Sequence, residues 1–328
     1  MPVPDPVLYP PFNTIRLSHV ELSVADIGAS RRFYCDILGL QVTGESDDRV
    51  YFRGMEERGH HCLVLKGSPG PSADLIAFKT YDEEDLDRAE RYFRDLGHRV
   101  DWPDRPFQGR TLATTDNHGV PIEFYHRMDR LPPIHQHYHL YRGVRPLRID
   151  HFNMFSPNVD QSVAFYSNIG FRVTEYTEDE ETGALWAAWI HRKGSVHDLA
   201  FTNGIGPRMH HIAFWVPTPM CIIDLLDLLA STGNVACIER GPGRHGISNA
   251  LFLYVLDPDG HRIEFYCSDY QTVDPDHEPI RWDLKDPQRQ TLWGAPAPRS
   301  WFEDGSAFTG IDARAPDLVA EPIIAHDR

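Results

Sequence analysis

Three side chains in the second half of the chain carry the sharpest chemical signal: His151, His211 and Glu264. Each lies in a short apolar run that reads as a strand, and the three runs are far apart in the chain. If those strands curl into one half-barrel, the three side chains meet at its interior. Two imidazoles and one carboxylate on one face of a divalent metal leave the opposite positions open, the ligand set of non-haem iron sites that activate O2. A single strand histidine is more often a core or surface residue than a ligand, so the signal rests on the set. Histidine is abundant, at 18 of 328 residues, which favours metal or proton chemistry without locating it. Arg240 and Arg289 offer planar forks for a substrate carboxylate, in a chain whose net charge is −16.

The elements that must position these groups come in a diverged internal repeat. Ser18-His19-Val20-Glu21-Leu22 opens one copy and Asp150-His151-Phe152-Asn153-Met154 the other. Phe33-Tyr34 and Phe165-Tyr166 follow at the same offset of 132. Each copy closes with an acidic turn and a strand: Asp116 to Glu123 in the first, Asp257 to Glu264 in the second. Strands are expected over 151–155, 185–190, 199–201, 210–216, 250–256 and 261–266, and helices over 159–169 and 222–229. Each half thus reads as β-α-β-β-β twice, an α+β fold of four modules. The expected division is an arm over 1–13, a first domain over 14–126, a linker over 127–146, a second domain over 147–268 and a tail over 269–328. Trp282, Trp293 and Trp301 argue that the first part of the tail packs on the body, with the chain loose from about Phe308. In the repeat, His19 stands where His151 does and Glu123 where Glu264 does, but Leu75 replaces His211. The first half therefore reads as a scaffold that has lost its metal.

Composition narrows the class. A length of 328 residues fits about two domains. The acidic balance, 48 acids against 32 bases, argues against nucleic acid as the main partner. No apolar run is long enough for a membrane helix, and the start, Met1 to Pro6, does not read as a signal peptide. Five scattered cysteines without a CxxC fit reduced thiols in a cytosol and exclude a cysteine-based zinc site.

Taken together, Asp150-His151-Phe152-Asn153, Val196-His197-Asp198-Leu199-Ala200-Phe201, Met209-His210-His211-Ile212-Ala213-Phe214 and the strand around Glu264 resemble the type I extradiol ring-cleaving dioxygenases of the vicinal oxygen chelate superfamily. Glu239 to Gly246 and the Trp-rich tail resemble the subgroup acting on homoprotocatechuate, 3,4-dihydroxyphenylacetate. The resemblance spans nearly all of residues 14–305. It implies the vicinal oxygen chelate fold, with four βαβββ modules in two half-barrel domains. It implies Fe(II), or Mn(II) in some members, on His151, His211 and Glu264. It implies His197 as the acid–base group beside the O2 site, Tyr254 on the catecholate oxygen, and Asn153 contacting O2 or substrate. Trp189 would wall the pocket, and His245 would reach the substrate from a Gly-rich loop. The implied reaction inserts O2 beside the diol and yields a muconic semialdehyde, in a cytoplasmic homotetramer.

The subgroup carries two successive arginines in the tail, whereas here Arg289 is followed by Gln290. Protocatechuate, catechol or another substituted catechol is therefore the alternative substrate. The rival readings are a glyoxalase-like metal enzyme and a metal-free binding protein on the same duplicated fold. Metal content and O2 uptake with a catechol discriminate among them.

Overall fold

The computed structural model describes residues 2–319. The first half runs β1 (Thr14–Val24), α1 (Ile27–Arg32), β2 (Gln41–Glu45), β3 (Arg49–Arg53), β4 (Leu63–Gly67), β5 (Ser72–Thr80), α2 (Glu84–Asp95), β6 (Thr111–Thr115) and β7 (Pro121–Tyr125). The second runs β8 (Arg148–Ser156), α3 (Val159–Asn168), β9 (Arg172–Glu178), β10 (Leu185–His191), β11 (Leu199–Asn203), β12 (Arg208–Trp215), α4 (Pro219–Ser231), β13 (Ile238–Arg244), β14 (Leu251–Leu256) and β15 (Arg262–Cys267). The tail adds β16 (Ile280–Asp283), α5 (Pro287–Gln290), β17 (Trp293–Gly294), α6 (Ser300–Glu303) and β18 (Ser306–Ala307).

The strands form two sheets, one per half, ordered β2-β3-β4-β1-β5-β7-β6 and β16-β9-β10-β11-β8-β12-β15-β14-β13-β17. In every module the first and last strands pair in parallel: β1 with β4, β5 with β7, β8 with β11 and β12 with β15. The second module departs from the expected pattern. Its first strand after the helix is reduced to one bridge, Asp101 with Ala113.

Local chemistry sets the element ends. Asn158 caps α3 by accepting from Gln161 N at 2.9 Å, and Gly170 follows the helix at φ +91°, where a side chain would be strained. Along β8, Phe152 and Met154 join the apolar core, leaving His151 and Asn153 on the opposite face, as the two-residue strand period requires.

The halves are locked by a reciprocal pair of hydrogen bonds. Tyr34 Oη donates to Asp257 Oδ2 at 2.9 Å, and Tyr166 Oη donates to Asp116 Oδ2 at 3.4 Å. In each acidic turn the other carboxylate oxygen accepts two backbone N–H groups, from His118 and Val120 or from Asp259 and His261. Burial pushes Asp116 up to about 6.

The tail corrects one expectation. Phe308 is buried against the core, with its ring 6.2 Å from that of Phe152. Beyond it, Arg314 pairs with Gly206, and Asn158 donates to Asp317 at 2.8 Å. An aromatic with an apolar groove to fill orders the segment that composition alone reads as loose. The expectations for residue 1 and for 320–328 lie outside the described residues.

Candidate active site

Strand register brings the three expected ligands together. β8 and β12 pair so that His151 faces Ala213, and β12 and β15 pair so that Ala213 faces Glu264. His151 Nε2 lies 2.9 Å from Glu264 Oε2 and 3.1 Å from His211 Nε2, and His211 Nε2 lies 3.1 Å from the same carboxylate oxygen. All three are buried, and among the described residues theirs is the one cluster of metal-ligating side chains. Burial would raise Glu264, but the close approach of His151, His211 and His245 outweighs it and holds the carboxyl well below its ordinary range. The donor set, two neutral imidazoles and one carboxylate, fits Fe(II) or Mn(II).

The two imidazoles are supported differently from behind. His151 Nδ1 donates to Asp150 Oδ2 at 3.1 Å, a carboxylate that also takes Tyr266 Oη and lies 3.2 Å from Lys193 Nζ. His211 Nδ1 instead donates to the neutral His210 at 2.6 Å, whose Nε2 donates to the Trp301 carbonyl at 2.8 Å. A register shift between Met209 and His211 lets adjacent strand residues touch, a bulge beside the site. Such partners fix the ring orientation of ligating histidines.

The open side of the triad faces a pocket lined by Asn153, Trp189, His197, His245, Tyr254, Arg289 and Gln290, among others. His197 sits between β10 and β11 with its ring centroid 3.9 Å from that of His151. Burial, with His151 adding to it, holds His197 well below the ordinary imidazole range. Tyr254 lies opposite Glu264 on β14, and its hydroxyl is 3.0 Å from His245 Nε2. Thr202 donates to Asn153 Oδ1 at 3.3 Å. Arg289 enters from the tail on α5, 2% exposed, with Nε donating to the Leu284 carbonyl and Nη2 unpartnered. Burial pushes its guanidinium down to about 10.

Arg240 sits elsewhere than a pocket-lining role requires. Its guanidinium lies one layer back, packed on the rings of Phe252, Tyr254 and Trp301 at 4.7, 5.8 and 4.7 Å. It donates to the Gln290 carbonyl and to Thr291 Oγ1. Gly243 and Arg244, farther along its strand, pair with β17 of the tail, so Arg240 faces a tail segment that the linear sequence leaves 50 residues away.

Sequence reasoning missed Tyr266, Thr202 and Trp301 at this site. Tyr266 was within reach, since it lies two residues after Glu264 on the same strand face. Trp301, whose buried Nε1 is also unpartnered, carries no local signal.

A buried two-histidine, one-carboxylate centre opening onto an aromatic-walled pocket, on a duplicated βαβββ scaffold, defines a metal-dependent oxygenase. The model of the Glyoxalase/Bleomycin resistance protein/Dioxygenase superfamily matches residues 16–124 and 148–265. The chain belongs to that superfamily and is one of its extradiol ring-cleaving dioxygenases. It is 30% identical to a manganese-dependent 2,3-dihydroxybiphenyl 1,2-dioxygenase of Geobacillus genomosp. 3, covering 86% of this chain and 94% of the relative. It is also similar to solved homoprotocatechuate 2,3-dioxygenases. The Brevibacterium fuscum enzyme in complex with 3,4-dihydroxyphenylacetate is 41% identical with a TM-score of 0.89, covering 95% of this chain and 99% of that one. The Arthrobacter globiformis enzyme is 40% identical with a TM-score of 0.90, covering 95% and 98%. As an extradiol dioxygenase, this chain acts on a catechol and O2 with Fe(II) or Mn(II) as cofactor.

Proposed function

We propose that the chain cleaves 3,4-dihydroxyphenylacetate beside its diol, with His151, His211 and Glu264 holding the metal. The observation that carries the substrate is Arg289. Its guanidinium is buried at the pocket wall, bonded through Nε to a backbone carbonyl and with Nη2 unpartnered among the described residues. A buried charge needs a partner, and a carboxylate on the catechol's side chain is one of matching shape. The likeness to the Brevibacterium fuscum complex supports the same reading.

A divalent ion held by His151, His211 and Glu264 would supply Lewis acidity toward the diol and a redox-active centre. The protein's groups do the rest. Tyr254 hydrogen-bonds one diol oxygen, with His245 at 3.0 Å keeping its hydroxyl oriented. His197, its ring tilted against that of His151 at 3.9 Å between centroids, would accept a diol proton and hold it for return to oxygen. Asn153 shares the strand face of His151 and contacts O2 or substrate, while Trp189 and Trp301 keep water out. Arg240 supports the tail rather than touching substrate. The product is a ring-opened muconic semialdehyde carrying both oxygen atoms of O2.

The test is anaerobic loading with Fe(II) or Mn(II), then O2 uptake and yellow semialdehyde absorbance with 3,4-dihydroxyphenylacetate, protocatechuate and catechol. The expected order puts 3,4-dihydroxyphenylacetate first. Faster turnover of unsubstituted catechol refutes the carboxylate reading and implicates Gln290.

We place the enzyme in the cytosol as a homotetramer. All five cysteines are free thiols, as a reducing compartment favours. No helix among the described residues is long and apolar enough to cross a membrane. Light scattering reads the assembly.

A further inference from the structure

We infer that Glu175 is a positioning residue for the carboxylate side of the pocket, holding the loop and tail that present His245 and Arg289. The inference rests on the reading of Arg289 given above.

Glu175 lies on β9, 1% exposed, and among the described residues its partners are neutral donors rather than Lys or Arg. Three neutral donors converge on it. Oε1 accepts from Ser248 N at 2.7 Å and Tyr270 Oη at 2.6 Å, and Oε2 accepts from Trp282 Nε1 at 2.6 Å. Burying a carboxylate is costly unless such bonds replace water. Here the donors come from three different segments, and two of those segments wall the pocket or lead directly to residues that do.

The first segment is the turn after His245. Ile247 and Ser248 line the pocket, and Ser248 and Asn249 both adopt left-handed backbone, φ +58° and +56°. Consecutive non-glycine residues in that region persist only where their surroundings hold them, and the Ser248 N–H is held by Glu175. The second segment is the tail. Trp282 sits on β16, which runs parallel beside β9, and Leu284 N donates to the Glu178 carbonyl at 3.1 Å. Leu284 in turn accepts from Arg289 Nε. The two segments also grip each other. Gly246 N donates to the Gln288 carbonyl at 3.1 Å, and a side chain at Gly246 would meet that oxygen at 2.4 Å and the Trp282 ring at 2.9 Å. His245 Nδ1 donates to the Gln290 carbonyl. Glu175 thus lies at the junction of the segments carrying His245, Arg289 and Gln290, while itself lining no part of the pocket.

The experiment compares Glu175→Gln, Trp282→Phe and the double variant with the wild type, as full chains loaded with Fe(II). Metal content, melting temperature, and kcat and KM for 3,4-dihydroxyphenylacetate and catechol are measured. Glu175→Gln is expected to keep one metal per chain and to raise KM for 3,4-dihydroxyphenylacetate about tenfold to a hundredfold, as lost charge-assisted hydrogen bonds do. Catechol kcat/KM should fall by no more than about threefold, because His245 acts on the diol only through Tyr254, whereas Arg289 meets the side-chain carboxylate directly. Trp282→Phe, which keeps the ring and loses one donor, should act in the same direction by less. The double variant should be no worse than Glu175→Gln, as groups acting through one contact are not additive. Equal losses on both substrates, or an unchanged KM in both single variants, overturn the inference. A wild type without preference for 3,4-dihydroxyphenylacetate refutes the Arg289 reading first, and the inference falls with it. A preference retained in both single variants refutes the inference alone.

Discussion

Where His211 brings its imidazole to Glu264 in the second half, the first half has Leu75, and a guanidinium meets the carboxylate instead. Arg105 Nε donates to Glu123 Oε1 at 2.9 Å, and Glu123 is as buried as its counterpart. The registers match closely. His19 and Glu123 both face Ala77, just as His151 and Glu264 both face Ala213, and Leu75 and His211 each stand two residues before that alanine. Even the outer groups correspond. Tyr125 meets Ser18 where Tyr266 meets Asp150, and the His61 ring lies 4.7 Å from that of His19, as His197 lies beside His151. The first half's cavity, about 150 Å³, is lined by His19, His61, Leu75, Arg105 and Glu123. The comparison teaches that the same buried carboxylate position can be met in two ways, by a resident guanidinium in the first half and by two imidazoles in the second. One half kept a site open to chemistry, and the other closed the same site with its own charge.

The largest effect should separate the two glutamates. Glu264→Gln is expected to lose bound metal and all turnover, whereas Glu123→Gln keeps both, read by metal analysis and O2 uptake. Loss of metal in the Glu123 variant would mean that the first half also holds an ion. The two second-position histidines come next. His197→Phe should retain metal and catechol binding yet lower kcat by about 10²–10⁴, the usual span for a lost acid–base group. His61→Phe should leave kcat unchanged. Leu75→His together with Arg105→Ala should give the first half two histidines and a carboxylate of its own and raise metal content above one ion per chain. Content fixed at one would mean that Ser18, in place of Asp150, also matters. The smallest effect concerns the lock between the halves. Tyr34→Phe should cost about 1.5–3 kcal/mol in denaturant unfolding, as for hydrogen bonds to charged groups. Tyr166→Phe should cost less, since its bond is longer, 3.4 against 2.9 Å.

Much of this was legible in the linear chain. The repeat, the strand runs around His151, His211 and Glu264, and the replacement at Leu75 follow from local pattern, because strand periodicity and spacing are written in neighbouring residues. The helix at 159–169 was readable from its apolar spacing and the glycine after it. The helix expected over 222–229 is longer than its apolar run indicates, Pro219–Ser231, since a proline starts it and the small residues Ala230 and Ser231 continue it. Arg105 gave no sign of its role, because it comes from an irregular loop 18 residues from Glu123.

By itself the sequence determined the ligand types, their strands, and which half could complete a triad, since those depend on side-chain chemistry and on periods of two or four residues. Tertiary structure alone decided that Asp150 and His210 back the two histidines, that Arg240 lies behind the pocket wall, that Trp301 and Arg289 close it, and that Phe308 is core. Asp150 and His210 are neighbours of the histidines they back, and strand geometry with its bulge turns them inward, while the other contacts join distant residues, as His210 joins Trp301 across 91 positions. Their partners are chosen by which surfaces pack against each other, and no local pattern encodes that choice.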